Sequence, residues 1–128
     1  MSPELFKKRT KAYALKIMRF TDGLPSSRAT NVIAGQLLRS GTSVGANYRA
    51  ACRAKSPADF ISKMGTVEEE CDESIFWMEL LEESGKSKDA AVSELKKEGS
   101  EILAMVVASI NTARIRRNNP QSAIRNPQ

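Results

Sequence analysis

The stretch Arg39-Ser-Gly-Thr-Ser-Val-Gly-Ala-Asn-Tyr-Arg49 lies inside what otherwise reads as one long helix. A glycine in a helix interior costs on the order of 1 kcal/mol relative to alanine. Gly41 and Gly45 stand at i,i+4, so both fall on one helix face. A helix keeps such a stripe where another backbone must come very close. The stretch therefore points to a tightly packed pair of helices.

The flanking sequence reads as four capped helices. The first covers about 3–21: Ser2 caps it, Pro3 suits the first helical position, and Glu4 favours the positive end of the dipole. Its apolar stripe is Phe6, Tyr13, Ile17 and Phe20, and Asp22-Gly23-Leu24-Pro25 ends it with turn chemistry. The second covers about 27–55, with Ile33, Leu37, Gly41, Val44, Tyr48 and Cys52 on one face. Ser56-Pro57-Ala58-Asp59 opens the third, where Ser56 caps and Asp59 completes a capping-box-like pair. Its stripe is Phe60, Met64, Val67, Cys71, Ile75 and Met78, and Gly85 suits the left-handed position after its end. The fourth covers about 88–117 through Val92, Leu95, Ile102, Val106, Ile110 and Ala113, with Gly99 weakening its first half. The domain is thus expected over 1–117, with 118–128 a disordered basic and polar tail.

The second and third helices are joined by a very short turn, so they are expected as antiparallel neighbours. Centring that turn on Ser56 sets Gly41 opposite Cys71, Gly45 opposite Val67 and Gly35 near Trp77. The same register brings Arg39 near Glu73 and Asn47 near Gly65. Ile75-Phe-Trp-Met-Glu-Leu-Leu81 is apolar nearly all round, more than one face of a bundle covers. That surplus points to a subunit interface with Trp77 as an anchor.

Net charge is +5 over 128 residues, and its distribution is uneven. Residues 1–56 carry +9, residues 57–113 carry −8, and residues 114–128 carry +4. Such blocks pair within a bundle or between subunits, and a leftover basic surface attracts phosphate backbones. No apolar run approaches the roughly 20 residues of a membrane span. The N-terminus lacks the apolar core of a secretory signal, which makes a cytoplasmic protein the expectation. Cys52 and Cys71 both fall at apolar helical positions and read as buried free thiols.

The segments Arg39–Arg49, Ala51-Cys-Arg-Ala-Lys-Ser56 and Val67-Glu-Glu-Glu-Cys-Asp-Glu-Ser-Ile-Phe-Trp-Met-Glu-Leu-Leu81 resemble the four helix bundle protein family, also called the 23S rRNA intervening sequence protein family. The likeness spans about 5–115 and is densest through 37–81. It implies an up-down four-helix bundle assembled as a homopentameric ring, with no enzymatic activity. The family is named for reading frames in insertions within bacterial 23S rRNA genes. It is also similar to the accessory protein of diversity-generating retroelements, a basic pentamer that works with a reverse transcriptase and nucleic acid. The motif residues matched here are Arg39, Ser43, Val44, Asn47, Tyr48, Arg49, Glu69, Asp72, Glu73 and Trp77. Where some relatives carry Glu after the Asn-x-x stretch, this chain has Ala50, so no role for an acid carries over there.

No catalytic set is legible. The run Glu68-Glu-Glu-Cys-Asp-Glu73 could offer carboxylates on adjacent turns, but bundle metal sites add Glu-x-x-His pairs, and this chain has no His. Those acids are expected to pair with Arg39, Arg49 or Arg53, and neither metal nor cofactor is expected. Asn47 and Arg39 read as groups that fix helix pairing; Ser43 has no base near it, and Gly41-x-x-x-Gly45 lacks the Lys-Ser/Thr of a phosphate loop. The structural and interface set is therefore Arg39, Gly41, Gly45, Asn47, Tyr48, Glu69, Asp72, Glu73 and Trp77.

Lys7, Lys8, Arg9 and Lys11, with Arg114, Arg116 and Arg117, form the candidate nucleic-acid-binding set. An up-down bundle brings the start of helix one and the end of helix four to the same end, and a ring would repeat that surface. Aromatics near these clusters are too few for base stacking, so binding should be sequence-tolerant and salt-sensitive. The leading reading is a non-enzymatic RNA-contacting or accessory protein that self-associates. The alternative is a scaffold that docks a partner protein and binds no nucleic acid.

Overall fold

The computed structural model describes residues 2–119. Four helices follow one another: α1 (Pro3–Asp22), α2 (Arg28–Ala51), α3 (Pro57–Glu83) and α4 (Ala90–Asn118). Among the described residues there is no strand. Each helix packs on its sequence neighbours and α4 closes back on α1, while the backbones of the diagonal pairs stay apart and only side chains such as Tyr13 and Ser74 span the centre. The α2–α3 seam is the most extensive and the α1–α4 seam the least.

The caps act as the sequence requires. Ser2, Ser27 and Ser56 each accept an amide N–H from the third residue onward, and Asp89 accepts that of Ala91. Gly85 has φ +76°, a backbone that side chains rarely adopt, and it turns the chain out of α3. Helix α2 ends at Ala51, short of the expected 55. There the Arg53 and Ala54 amides bond three residues back, to Ala50 and Ala51, which tightens the last turn and stops the α-helix. Cys52 therefore leaves the stripe and is exposed, contrary to the expectation of a buried thiol; Cys71 is buried as expected. The tail expectation falls almost wholly on 120–128, outside the described residues.

The core is the sum of the four stripes: Phe6, Tyr13 and Ile17 from α1, Leu37, Val44 and Tyr48 from α2, Met64, Val67, Cys71 and Met78 from α3, and Val92, Ile102, Val106 and Ile110 from α4. Burying one such side chain is worth roughly 1.5–3 kcal/mol. Phe6 and Tyr48 meet edge-to-face at 4.7 Å, which locks the start of α1 to the end of α2.

The glycine stripe does mark a close approach, but the partner differs from the expected one. A Cβ on Gly41 would collide with Cδ1 of Ile17, and a Cβ on Gly45 would lie 3.3 Å from Thr10 Oγ1. Both glycines thus receive α1, not α3. Gly99 belongs to the same class: a Cβ there would stand 2.6 Å from the Tyr13 hydroxyl and 3.1 Å from Ile75 Cγ1. Its lack of a side chain is what lets α1 and α3 both reach α4. Gly35 has nothing within 4 Å of a Cβ position, so its expected meeting with Trp77 does not occur.

Candidate functional site

The up-down order puts the start of α1, the end of α2, the start of α3 and the end of α4 at one end of the bundle. Two positive and two negative helix ends meet there, so their dipoles largely cancel and side-chain charges decide the local field. That end carries a cleft of about 1150 Å³. Its charged lining is Lys7, Lys55, Arg116 and Arg117 against Glu4. Glu4 lies 3.4 Å from Lys7 in an exposed pair, which leaves a surplus of positive charge on the rim. Tyr48, Phe60 and Met105 supply an apolar lining, with the small residues Ala51, Ala108 and Ala113 between them.

The structure brings some of the expected basic residues together and separates others. Lys7, Arg116 and Arg117 share the cleft. Lys8, Lys11 and Arg114 are exposed and lie outside its lining. Arg9 is turned into the α1–α4 seam, where Nη2 lies 2.7 Å from Glu98 and 3.1 Å from Glu101. Its Nε bonds Glu98 at 2.8 Å, and Nη1 reaches Met105 Sδ at 3.2 Å. The hydrogen bonds that Arg9 donates to Glu98 raise the Arg9 pKa further, and in return Arg9 holds the Glu98 carboxyl below the ordinary carboxylate range. Arg9 is a clasp between helices rather than a free cation. Among the described residues no carboxylate pairs with Lys8, Lys11, Lys55, Arg114, Arg116 or Arg117.

Lys55, Tyr48 and Phe60 escaped the sequence reading as cleft residues. The signal for them was parity: in an up-down bundle the α2–α3 turn sits at the same end as both chain ends. Tyr48 is buried, which raises its pKa and keeps the phenol neutral.

A second cleft, of about 640 Å³, opens at the opposite end between α1 and α4. Lys16, Arg19, Lys86 and Lys88 line it together with Asp89, Glu94 and Glu98, so its charges nearly balance. It offers much weaker attraction to an anion than the first.

The motif residues form a different feature, on the α2–α3 seam. Arg39 bridges Glu70 at 2.8 Å and pairs with Glu73, confirming the expected register at that point. The Trp77 indole N–H donates to Glu73 Oε2 at 3.0 Å, and Trp77 meets Phe76 edge-to-face at 5.1 Å. The indole bond, then the Arg39 bond, hold the Glu73 carboxyl below its ordinary range. Arg39 is 46% exposed, so the network sets register more than it stabilises. Asn47 donates to the Ser43 carbonyl of its own helix at 2.8 Å rather than across the seam. Glu69 and Asp72 are exposed. Of the arginines expected to take the acidic run, Arg39 does so, whereas neither Arg49 nor Arg53 forms an ion pair among the described residues. Phe76 is 47% exposed and Val32 on α2 62% exposed. No cluster of His, Cys, Asp and Glu able to hold a metal occurs among the described residues, nor is any helix long and apolar enough to cross a membrane.

A family model described as 23S rRNA-intervening sequence protein matches residues 5–108. A crystal structure of a protein of unknown function from the S23 ribosomal protein family of Bacteroides thetaiotaomicron is similar at 31% identity and a TM-score of 0.79. The match covers 87% of this chain and 99% of that one. No curated protein matches the chain.

Proposed function

Because the chain belongs to the 23S rRNA-intervening sequence protein family, we propose that it is a non-enzymatic RNA-binding or accessory protein that contacts phosphates through its basic end cleft. The observation that carries the reading is the convergence of Lys7, Lys55, Arg116 and Arg117 on one concave surface with Glu4 as its acid. Residue 7, residue 55 and the pair 116–117 are remote from one another in sequence, and the fold gathers them. Each neutralised phosphate releases counterions, so affinity should fall steeply with salt.

The active form in this reading is a cytoplasmic homopentameric ring that repeats the cleft once per subunit. The five-fold count rests on the resemblance, and the exposed Phe76 and Val32 supply apolar surface for assembly. Repetition multiplies weak contacts on one RNA without any new contact within a subunit. The same exposed apolar residues favour the second reading, a scaffold for a partner protein.

Retention of a short mixed-sequence RNA by the purified protein, at about 50 and 200 mM salt, separates the two. Strong binding at low salt that collapses at the higher salt supports the phosphate cleft. An assembled ring that ignores RNA at both supports the scaffold.

A further inference from the structure

We propose that the end cleft selects unpaired nucleotides over duplex, taking a base against its apolar lining while the rim holds the flanking phosphates. The inference rests on the nucleic-acid reading above and adds the form of ligand. Single-strand sites combine a positive groove with aromatic faces, because every base has a π-face that can stack. A duplex hides those faces in its own stack and is read by its shape and by 2′-hydroxyl and phosphate contacts.

The cleft has both halves of the single-strand pattern, against the expectation of too few aromatics for stacking, because the fold brings Phe60 of α3, remote in sequence, to the basic clusters. Lys7 and Lys55 come from α1 and the α2–α3 turn, and Arg116 and Arg117 from the end of α4, so positive charge surrounds the opening. Phe60 and Met105 are half-buried and Tyr48 almost wholly so, which makes Phe60, packed on the core from one side, the more exposed aromatic of the lining. Tyr48 is committed to Phe6 and backs the wall rather than stacking. Ala108 and Thr112 are exposed on the α4 side, and their small size keeps the opening wide. At about 1150 Å³ the concavity is at least as large as ordinary small-ligand pockets. A surface serving duplex alone would need no such hollow.

The test is fluorescence anisotropy with one labelled RNA strand, presented alone and as a blunt duplex, at fixed low salt. The protein should favour the single strand. Phe60→Leu keeps apolar volume but removes the ring. It should weaken the single strand about five-fold or more and leave the duplex unmoved. Phe60→Tyr should restore the preference, and circular dichroism confirms that each variant is folded. Single-stranded DNA of the same sequence binding equally assigns recognition to base and phosphate; an RNA preference adds a 2′-hydroxyl contact, and both outcomes support the proposal. Equal affinity for single strand and duplex, or a preference untouched by Phe60→Leu, overturns the proposal while leaving the phosphate cleft standing. Failure of both forms to bind overturns the nucleic-acid reading with it.

Discussion

The Tyr13 hydroxyl lies 2.8 Å from Ser74 Oγ, at the point where Gly99 lets α4 approach. Three helices meet at that contact. Ser74 also bonds the Cys71 carbonyl at 2.6 Å, and the Cys71 thiol donates to the Gly99 carbonyl at 3.3 Å. Every polar atom of this buried knot has a partner, which is what makes it tolerable in a core.

Gly99→Ala should therefore destabilise although alanine is the better helix former. The added methyl pushes on the Tyr13 hydroxyl, and overpacking costs about 1–3 kcal/mol against a propensity gain of about 1. Gly65→Ala meets nothing within 4 Å and should stabilise by about 0.5–1 kcal/mol. Thermal melts of the two variants should move in opposite directions. A raised midpoint for Gly99→Ala would refute the close approach.

Gly41 and Ile17 should behave as a coupled pair. Gly41→Ala collides with the terminal carbon of Ile17, and Ile17→Val deletes that carbon at a cost of about 0.5–1.5 kcal/mol. The double variant should lose less stability than the two single losses added. Additive losses in a double-mutant cycle would show that α1 does not press on Gly41.

Stability should fall at both pH extremes. Glu98 is depressed chiefly by the Arg9 hydrogen bond, and Glu73 by the Trp77 and Arg39 bonds, both from an ordinary value of 4.5. A depressed carboxylate stabilises above that value, and the contribution is lost as pH falls below it. Burial raises the Cys71 thiol from 9.0 to about 12 and also raises Tyr13 above 10.0. A raised group stabilises below its unfolded value, so stability drains as pH climbs past 9. Melting midpoints across pH should form a plateau with two falling limbs. Glu98→Gln should shallow the acid limb and Tyr13→Phe the alkaline one; limbs unchanged in both variants would count against these assignments.

The proposed self-association should be disrupted by Phe76→Asp without unfolding of the subunit, because the side chain is 47% exposed and lies outside the core. Light scattering should report a smaller particle with the helical spectrum retained. An unchanged mass would count against Phe76 as part of the proposed assembly surface.

Much of the fold was legible because caps and stripes are local. Ser2, Ser56 and Gly85 mark ends that the backbone respects, and the short turn at Ser56 sets the Arg39–Glu73 register. Which neighbour each glycine receives was not legible. Periodicity tells which side of α2 is buried, but α1 and α3 both lie along that side, and the Ile17 contact comes from another helix. Gly99 read as a weakness for the same reason, since Tyr13 is remote in sequence. Cys52 was assigned by extending a stripe past the point where the backbone leaves the helix. The cleft was half legible: parity gathers Lys7 with Arg116 and Arg117, whereas Arg9 looked free because its partners Glu98 and Glu101 sit on α4.

The end cleft is proposed to bind phosphates. Its most direct test is the salt dependence of RNA affinity for the native protein and for the combined variant Lys55→Glu, Arg116→Glu, Arg117→Glu, with particle mass measured on both. A phosphate-binding cleft should give a steep linear fall of log affinity with log salt for the native protein, and no measurable binding by a variant of unchanged mass. RNA binding that survives the reversal, or that ignores salt, would contradict it.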